Sequence, residues 1–205
     1  PRQMAVLNEI KESGDIFYLG HWGDVLFDDM GVSDDLSFDE QVEILIKKVV
    51  KRGGSELAEA LWNYWELDGN FKDHLKEKIA ELLSGIKIDN ANSRIRAFKS
   101  MYWAPRWTSA NMNVFSDFRP VYLPYYDNRM CEFICTIPEK LLAKRQIQIE
   151  YIKMKDPKLA KIPWQNYDPY NLYNFNNFDS KRNIPRRAFK KGRRLFNEKV
   201  LKNKL

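Results

Sequence analysis

The chain has 205 residues, of which 44% are hydrophobic and 14% aromatic, and its formal net charge is +6. This composition predicts a folded domain with a sizeable core and excludes a disordered chain, although 30% of the residues are charged. No apolar run approaches the roughly 20 residues that span a bilayer, and the first residues lack the layout of a signal peptide. We therefore expect a cytoplasmic protein without a membrane partner.

The first predicted elements are a helix at 4–13 and a strand at 16–19, followed by the turn Gly20-His21-Trp22-Gly23-Asp24. A strand, a glycine turn and a helix start together leave backbone N–H groups free and place a carboxylate above the sheet edge, where anionic nucleotides and their metals bind. The alternative is an ordinary strand-to-helix connection in which the glycines permit the turn and Asp24 caps the helix.

Helices dominate the middle of the chain. Ser37 and Glu40 have capping-box spacing and predict a helix that ends at Gly53-Gly54. Apolar residues at helical spacing predict three more helices, at 55–67, at 71–83, and from 92 to 101, the last ending before Pro105.

The second half begins with an extended segment at 119–128, because Pro120 and Pro124 forbid a regular helix there. Helical spacing returns at 128–136, 139–142 and 146–154. With one predicted strand, either the chain is nearly all α or the partner strands belong to a preceding part of a longer polypeptide.

The cysteines, Cys131 and Cys135, are four residues apart in a predicted helix, a spacing that does not favour a mutual disulfide. Together with His21 and His74 they match no zinc-binding pattern. A reducing, cytoplasmic setting fits both observations.

Residues 165–205 form a predicted aromatic and asparagine-rich arm followed by a basic C-terminal helix. The last 26 residues hold eleven lysines and arginines and one acid, Glu198. Such a run can bind nucleic acid or an acidic membrane surface. Its apolar positions, however, recur near helical spacing, so we favour a helix that docks on the body with its charges in water.

Three blocks in order carry a family resemblance. They are the run from Gly20 to Phe27, the segment Arg106-Trp107-Thr108-Ser109, and Pro124-Tyr125-Tyr126-Asp127-Asn128. They resemble the G-E-G-x-D-E-(L/V)-F, E-R-x-S and P-F-L-D blocks in the C-terminal part of the synthetase domain of the glutamine-hydrolysing asparagine synthetase family. The resemblance covers 1–164, apart from a helical insert at about 33–89.

The resemblance implies a mainly α chain that is the helical C-terminal portion of a Rossmann-like α/β adenine-nucleotide α-hydrolase domain, with few strands of its own. It implies an ATP-dependent carbon–nitrogen ligase that adenylates a carboxylate and forms an amide, with ATP and magnesium as cofactors. By the same resemblance, the turn supplies the nucleotide-binding residues Gly20, His21, Gly23 and Asp24. Asp24 is also the expected metal ligand, and Lys144 and Arg145 are the expected catalytic residues.

The chain departs from the family at several positions. His21 and Val25 stand where the family has acids, and Tyr122 stands where it has an arginine. The ATP-binding S-G-G-x-D-S loop and the glutaminase are absent from these residues, so we expect no activity from this chain alone. An N-terminal portion carrying both, on the same or a separate chain, is the expected partner, and a homodimer is left open.

The alternative function is a non-catalytic helical binding module that uses the basic C-terminal tail to recognise a protein or nucleic acid. Of these two partners we do not expect the nucleic acid, since charge runs are more often solvated helix faces.

Overall fold

The computed structural model describes residues 2–10, 12, 14–51, 53–189, 192, 193 and 196. The described part is mainly helical and contains one small sheet. The chain divides into two compact units, Pro1–Gln146 and Ile147–Leu205. The helices are α1 (Arg2–Ile10), α2 (Gly23–Leu26), α3 (Phe38–Val49), α4 (Gly54–Tyr64), α5 (Phe71–Ser84), α6 (Ala91–Phe98), α7 (Ala104–Ser116), α8 (Asn128–Cys135), α9 (Glu139–Leu142) and α10 (Gln146–Lys155).

The sheet consists of two short parallel strands, β1 (Phe17–Tyr18) and β2 (Val121–Tyr122), with Phe17 opposite Val121. The Phe17 N–H donates to the Pro120 carbonyl at 2.9 Å. The ring of Phe17 is buried with Leu7 and Phe115, and Val121 packs against this cluster. The expectation that the chain supplies a single strand is therefore wrong: β1 pairs with two residues of the segment predicted as extended. Two prolines flank β2 and leave it too short to be recognised by alternation.

Helices α3 and α5 pack against each other in the first unit, with Val42, Leu45, Ile79 and Leu83 buried. The predicted capping box is confirmed, because the Glu40 N–H donates to the Ser37 hydroxyl and the Ser37 N–H donates to the Glu40 carboxylate. Both bonds satisfy donors that a helix start otherwise leaves without partners.

The helix predicted to end before Pro105 does not end there. Helix α6 continues through a π-helical segment, Lys99–Trp103, directly into α7. Pro105 lies in the first turn of α7, where its missing N–H removes no α-helical hydrogen bond. The prediction was wrong because it treated the proline as a stop, whereas the wider π turn lets the helix pass it.

An ion pair joins α6 to α9 inside the first unit. The Arg96 guanidinium donates to both carboxylate oxygens of Glu139 and to the Asp28 carbonyl, and the Ser93 hydroxyl also donates to Glu139 at 2.7 Å. The side chains of Arg96 and Glu139 are only 9% and 15% exposed. The pair therefore fixes the segment after α2 relative to two helices.

The second unit contains most of α10 and a series of 3₁₀ turns, followed by a helix at 184–189. Trp164, the last residue of the predicted synthetase portion, packs against Tyr167 and Phe175 of the predicted arm, at ring distances of 4.5 and 5.3 Å. Phe189 and Phe196 in the predicted C-terminal helix are exposed. Its other large apolar positions, Leu195, Val200 and Leu201, lie outside the described residues.

Candidate functional site

The turn after β1 is held by backbone hydrogen bonds between residues three positions apart. The Gly23 N–H donates to the Gly20 carbonyl at 3.4 Å, and the Val25 N–H donates to the Trp22 carbonyl at 3.0 Å. Trp22 has φ of 73°, a left-handed conformation that is strained for a bulky side chain. His21 is half-buried, and Asp24 is exposed in the first turn of α2.

The two glycines of the turn have different requirements. A Cβ atom at Gly23 would lie 2.5 Å from the Tyr125 ring, so only glycine permits this approach. A Cβ atom at Gly20 would meet nothing within 4 Å. Since the Tyr125 ring also lies 5.7 Å from that of Phe27, the turn after β1 packs directly on the segment after β2.

Each parallel strand is followed by an aspartate at its carboxyl end, which is the edge where α/β sheets bind ligands. Asp127, after β2, caps α8 by accepting the Arg129 N–H at 2.9 Å, and it also pairs with the Arg129 side chain. Hydrogen bonds from the Arg129 side chain and backbone lower the pKa of Asp127 to about 2. Asp127 is thus committed to capping, whereas Asp24 is exposed after β1.

Lys144 and Arg145 lie in the turn between α9 and α10, and both have positive φ, 56° and 59°. The Arg145 Nε–H donates to the Asp28 carboxylate at 2.9 Å, and Asp28 lies four residues after Asp24. The structure therefore brings Arg145 to the segment that follows the glycine turn. Lys144 is exposed.

A second group of side chains lies beside the turn. We name it the lysine–tryptophan cluster, and it consists of Trp22, Lys48, Lys51, Lys99, Trp103 and Trp107. Sequence reasoning missed it because its members come from the turn, the end of α3, the π segment and α7. The available signal was the spacing of Lys48 and Lys51 at i, i+3 and of Trp103 and Trp107 at i, i+4, which on a helix places each pair on one face.

Within the part of the chain that the structure describes, no group of three or more His, Cys, Asp and Glu side chains is arranged to hold a metal ion. No helix in the described ranges is both long and apolar enough to cross a membrane. Comparison of the chain with family models, with curated proteins and with solved structures finds no match.

Proposed function

We propose that this chain is the C-terminal part of an asparagine-synthetase-like, ATP-dependent amidotransferase, built on a portion of a Rossmann-like α/β domain. One observation carries the proposal. The parallel pairing of β1 with β2 puts the Gly20–Asp24 turn and the Pro124–Asn128 block side by side, with Gly23 against Tyr125. Blocks that are distant in sequence then border one strand edge, as a shared ligand site requires.

The donor set of the turn suits magnesium that arrives with a nucleotide. Mg²⁺ is commonly held by one or two carboxylates together with substrate phosphates and water, and Asp24 offers one exposed carboxylate. Bound ATP and magnesium would supply an α-phosphoryl group to which a substrate carboxylate is joined while the bond to the β-phosphate breaks and pyrophosphate leaves. In this proposal Asp24 holds the metal and the backbone N–H groups of Gly20 and His21 face the phosphates. Gly23 belongs to the site because its N–H donates to the Gly20 carbonyl and closes the turn against Tyr125.

The basic residues of the α9–α10 turn have a charge-stabilising role in the proposal. Adenylation brings two anionic groups together, so a positioned cation lowers the energy of the transition state. The ion pair with Asp28 holds Arg145 near α2, and Lys144 adjoins it. Both residues are therefore proposed to contact the phosphates.

The amide-forming step calls for an additional portion of protein. His21 and Val25 supply no carboxylate at the positions where the resemblance calls for acids. The proposed partner is an N-terminal portion with the glutaminase and the ATP loop, on the same or another chain, and a homodimer is compatible with it. The proposed setting is the cytoplasm.

Calorimetric titration of ATP with magnesium tests the proposal, using the wild-type chain, Asp24→Asn and the control Asp15→Asn. Asp15 is also exposed, but it precedes β1. We expect magnesium to tighten ATP binding to the wild type and to the control. In Asp24→Asn, the increase in ATP affinity caused by magnesium should be about tenfold smaller, as for a removed charged ligand. Equal magnesium dependence in all three proteins, or none in any of them, contradicts the proposal.

A further inference from the structure

The three tryptophans of the lysine–tryptophan cluster lie next to one another, and the outer two, Trp103 and Trp107, are stacked. The rings of Trp103 and Trp107 are nearly parallel, at 10°, with centroids 5.4 Å apart, and Trp22 lies 5.6 Å from Trp103 on the inner side. Trp22 is buried, and its indole N–H donates to the Ser100 hydroxyl at 3.0 Å. Trp107, at the outer end, keeps 45% of its surface exposed. The stack therefore ends in an accessible aromatic ring.

Lysine side chains converge on the same rings. The ammonium of Lys51 lies 5.0 Å from the Trp103 centroid and 5.8 Å from that of Trp107. The ammonium of Lys99 lies 5.3 Å from the Trp103 centroid and 5.9 Å from that of Trp22. Both distances to Trp103 are within cation–π reach, so one ring anchors two positive charges.

Lys48 adds a third positive charge to this group. Its ammonium donates to the Met30 carbonyl at 2.8 Å, and Lys51 in turn donates to the Lys48 carbonyl. Burial lowers the pKa of Lys99, the charges of Lys48 and Lys51 lower it further, and Asp24 opposes this effect. Like charges held so close repel one another, and an anion bound among them relieves the repulsion.

We propose that the lysine–tryptophan cluster binds a nucleotide, with its phosphates between Lys48, Lys51 and Lys99 and its base stacked on Trp107. Lysine is a frequent phosphate ligand, and all of the nucleotide bases can stack on an exposed aromatic ring. Lys51 and Lys99 both lie over the Trp103 ring, and this close spacing suits a compact polyphosphate rather than the spaced phosphates of a nucleic-acid strand. The inference rests on the proposed function for the choice of ATP as nucleotide, and it adds the residues that bind phosphates and base.

The test is a titration of ATP in EDTA, followed by calorimetry and by quenching of tryptophan fluorescence. Without metal, the proposed role of Asp24 as a metal ligand is removed, and the loss of affinity in each variant of the cluster then reports what that side chain contributes. The variants are Trp107→Leu and Lys51→Gln, both exposed positions. Their matched controls are Trp65→Leu, an exposed tryptophan after α4, and Lys47→Gln, an exposed lysine of α3.

We expect Trp107→Leu to weaken ATP binding about tenfold, as for a lost base stack, and to leave tripolyphosphate binding unchanged. Lys51→Gln should weaken ATP and tripolyphosphate alike, and both controls should bind like the wild type. Equal ATP affinity in all variants, or no ATP binding in EDTA, overturns the inference. Binding of a ten-nucleotide oligothymidylate without binding of ATP overturns it in favour of a single-strand site.

The two proposals fail separately in these titrations. Metal-free ATP binding that depends on Trp107, without an Asp24-dependent gain from magnesium, supports the nucleotide cluster and contradicts the metal site of the proposed amidotransferase. Magnesium-dependent binding that depends on Asp24 but on neither Trp107 nor Lys51 overturns the cluster and leaves the proposed function standing.

Discussion

Two charged regions of the first unit are built in opposite ways. Around Arg96, one guanidinium meets the Glu139 carboxylate through two hydrogen bonds, and Ser93 and the Asp28 carbonyl complete the network. In the lysine–tryptophan cluster, the ammonium groups of Lys51 and Lys99 lie over indole rings, Lys48 adds a third positive charge, and Asp24 opposes these charges at Lys99. The first region is internally neutralised.

The difference separates a structural charge from one suited to binding. A buried charge that is paired and hydrogen-bonded fixes elements in place, but it has little left to offer a ligand. Repelling charges beside an exposed ring are retained at a cost in stability, and such sites are candidates for function. Glu139→Ala and Lys99→Met test this distinction, and Arg129→Ala extends the comparison to an exposed pair; they are taken from the largest expected effect to the smallest.

Glu139→Ala should cause the largest loss of stability. The substitution leaves the Arg96 guanidinium buried without its carboxylate, and breaking such a pair costs about 3–5 kcal/mol of the free energy of unfolding. Urea denaturation followed by tryptophan fluorescence measures the change. Glu139→Gln retains an oxygen acceptor for Ser93 and should lose less.

Glu81→Ala is the control for this comparison. Glu81 pairs with Lys78 at 2.7 Å on the exposed face of α5, and both side chains are more than half exposed. Exposed pairs of this kind contribute little, so the urea midpoint should not change. If Glu139→Ala loses no more stability than Glu81→Ala, the structural role of the buried pair is refuted.

Lys99→Met should change the free energy of unfolding less, by no more than about 1 kcal/mol, and the change should depend on pH. Because the pKa of Lys99 is lowered in the folded protein, the folded state binds its proton less readily than the unfolded state does. The charged lysine thus costs stability at pH 7, and the cost disappears as the pH rises through its unfolded pKa of about 10.4.

Urea denaturation at pH 7 and at pH 10.5 measures this effect as the difference between wild type and Lys99→Met. Titrating groups that do not interact with Lys99 cancel in that difference. The wild type should gain stability relative to the variant at the higher pH, with Lys47→Met as the exposed control. A wild type that instead loses stability relative to the variant at pH 10.5 shows that Lys99 is favourably paired.

Arg129→Ala should have the smallest effect on the free energy of unfolding at neutral pH. Its effect should instead be seen in the pKa of Asp127. The pKa of about 2 should rise towards the ordinary 3.8 as the side-chain bond is lost, while the backbone N–H still lowers it. The stabilisation by Asp127 is present above its unfolded pKa and is lost as the pH falls towards 2. Carboxyl-carbon NMR titration measures the shift, and a pKa that stays at about 2 contradicts the assigned role of Arg129.

Local signals made much of the fold predictable. The capping box of Ser37 and Glu40 was readable because its hydrogen bonds join residues three positions apart. The helix after Asn70 was readable because its apolar residues recur at helical spacing. The pairing of β1 with β2 was not readable, since it joins residues about a hundred positions apart over only two residues per strand. The π segment also escaped prediction, because no residue pattern announces a wider helical turn.

The candidate site also has features that local sequence predicts and features that depend on the fold. The glycine turn and Asp24 were found from their local pattern, and the ion pair of Arg145 with Asp28 lies near them. The need for glycine at position 23 comes from the Tyr125 ring, which only the folded chain brings there. The lysine–tryptophan cluster likewise depends on α3, the π segment and α7 meeting beside the turn.

The number of residues in the π segment sets the rotation of α7 about its axis. Successive residues of an α-helix are rotated by about 100°, so one residue gained or lost within Lys99–Trp103 would turn all of α7 by that angle. Trp107 would swing away from Trp103, while the capping box and β1 kept their local sequences. The same turn would carry Phe115 of α7 away from Leu7 and Phe17, so the length of the π segment couples the tryptophan pair to the core of the first unit.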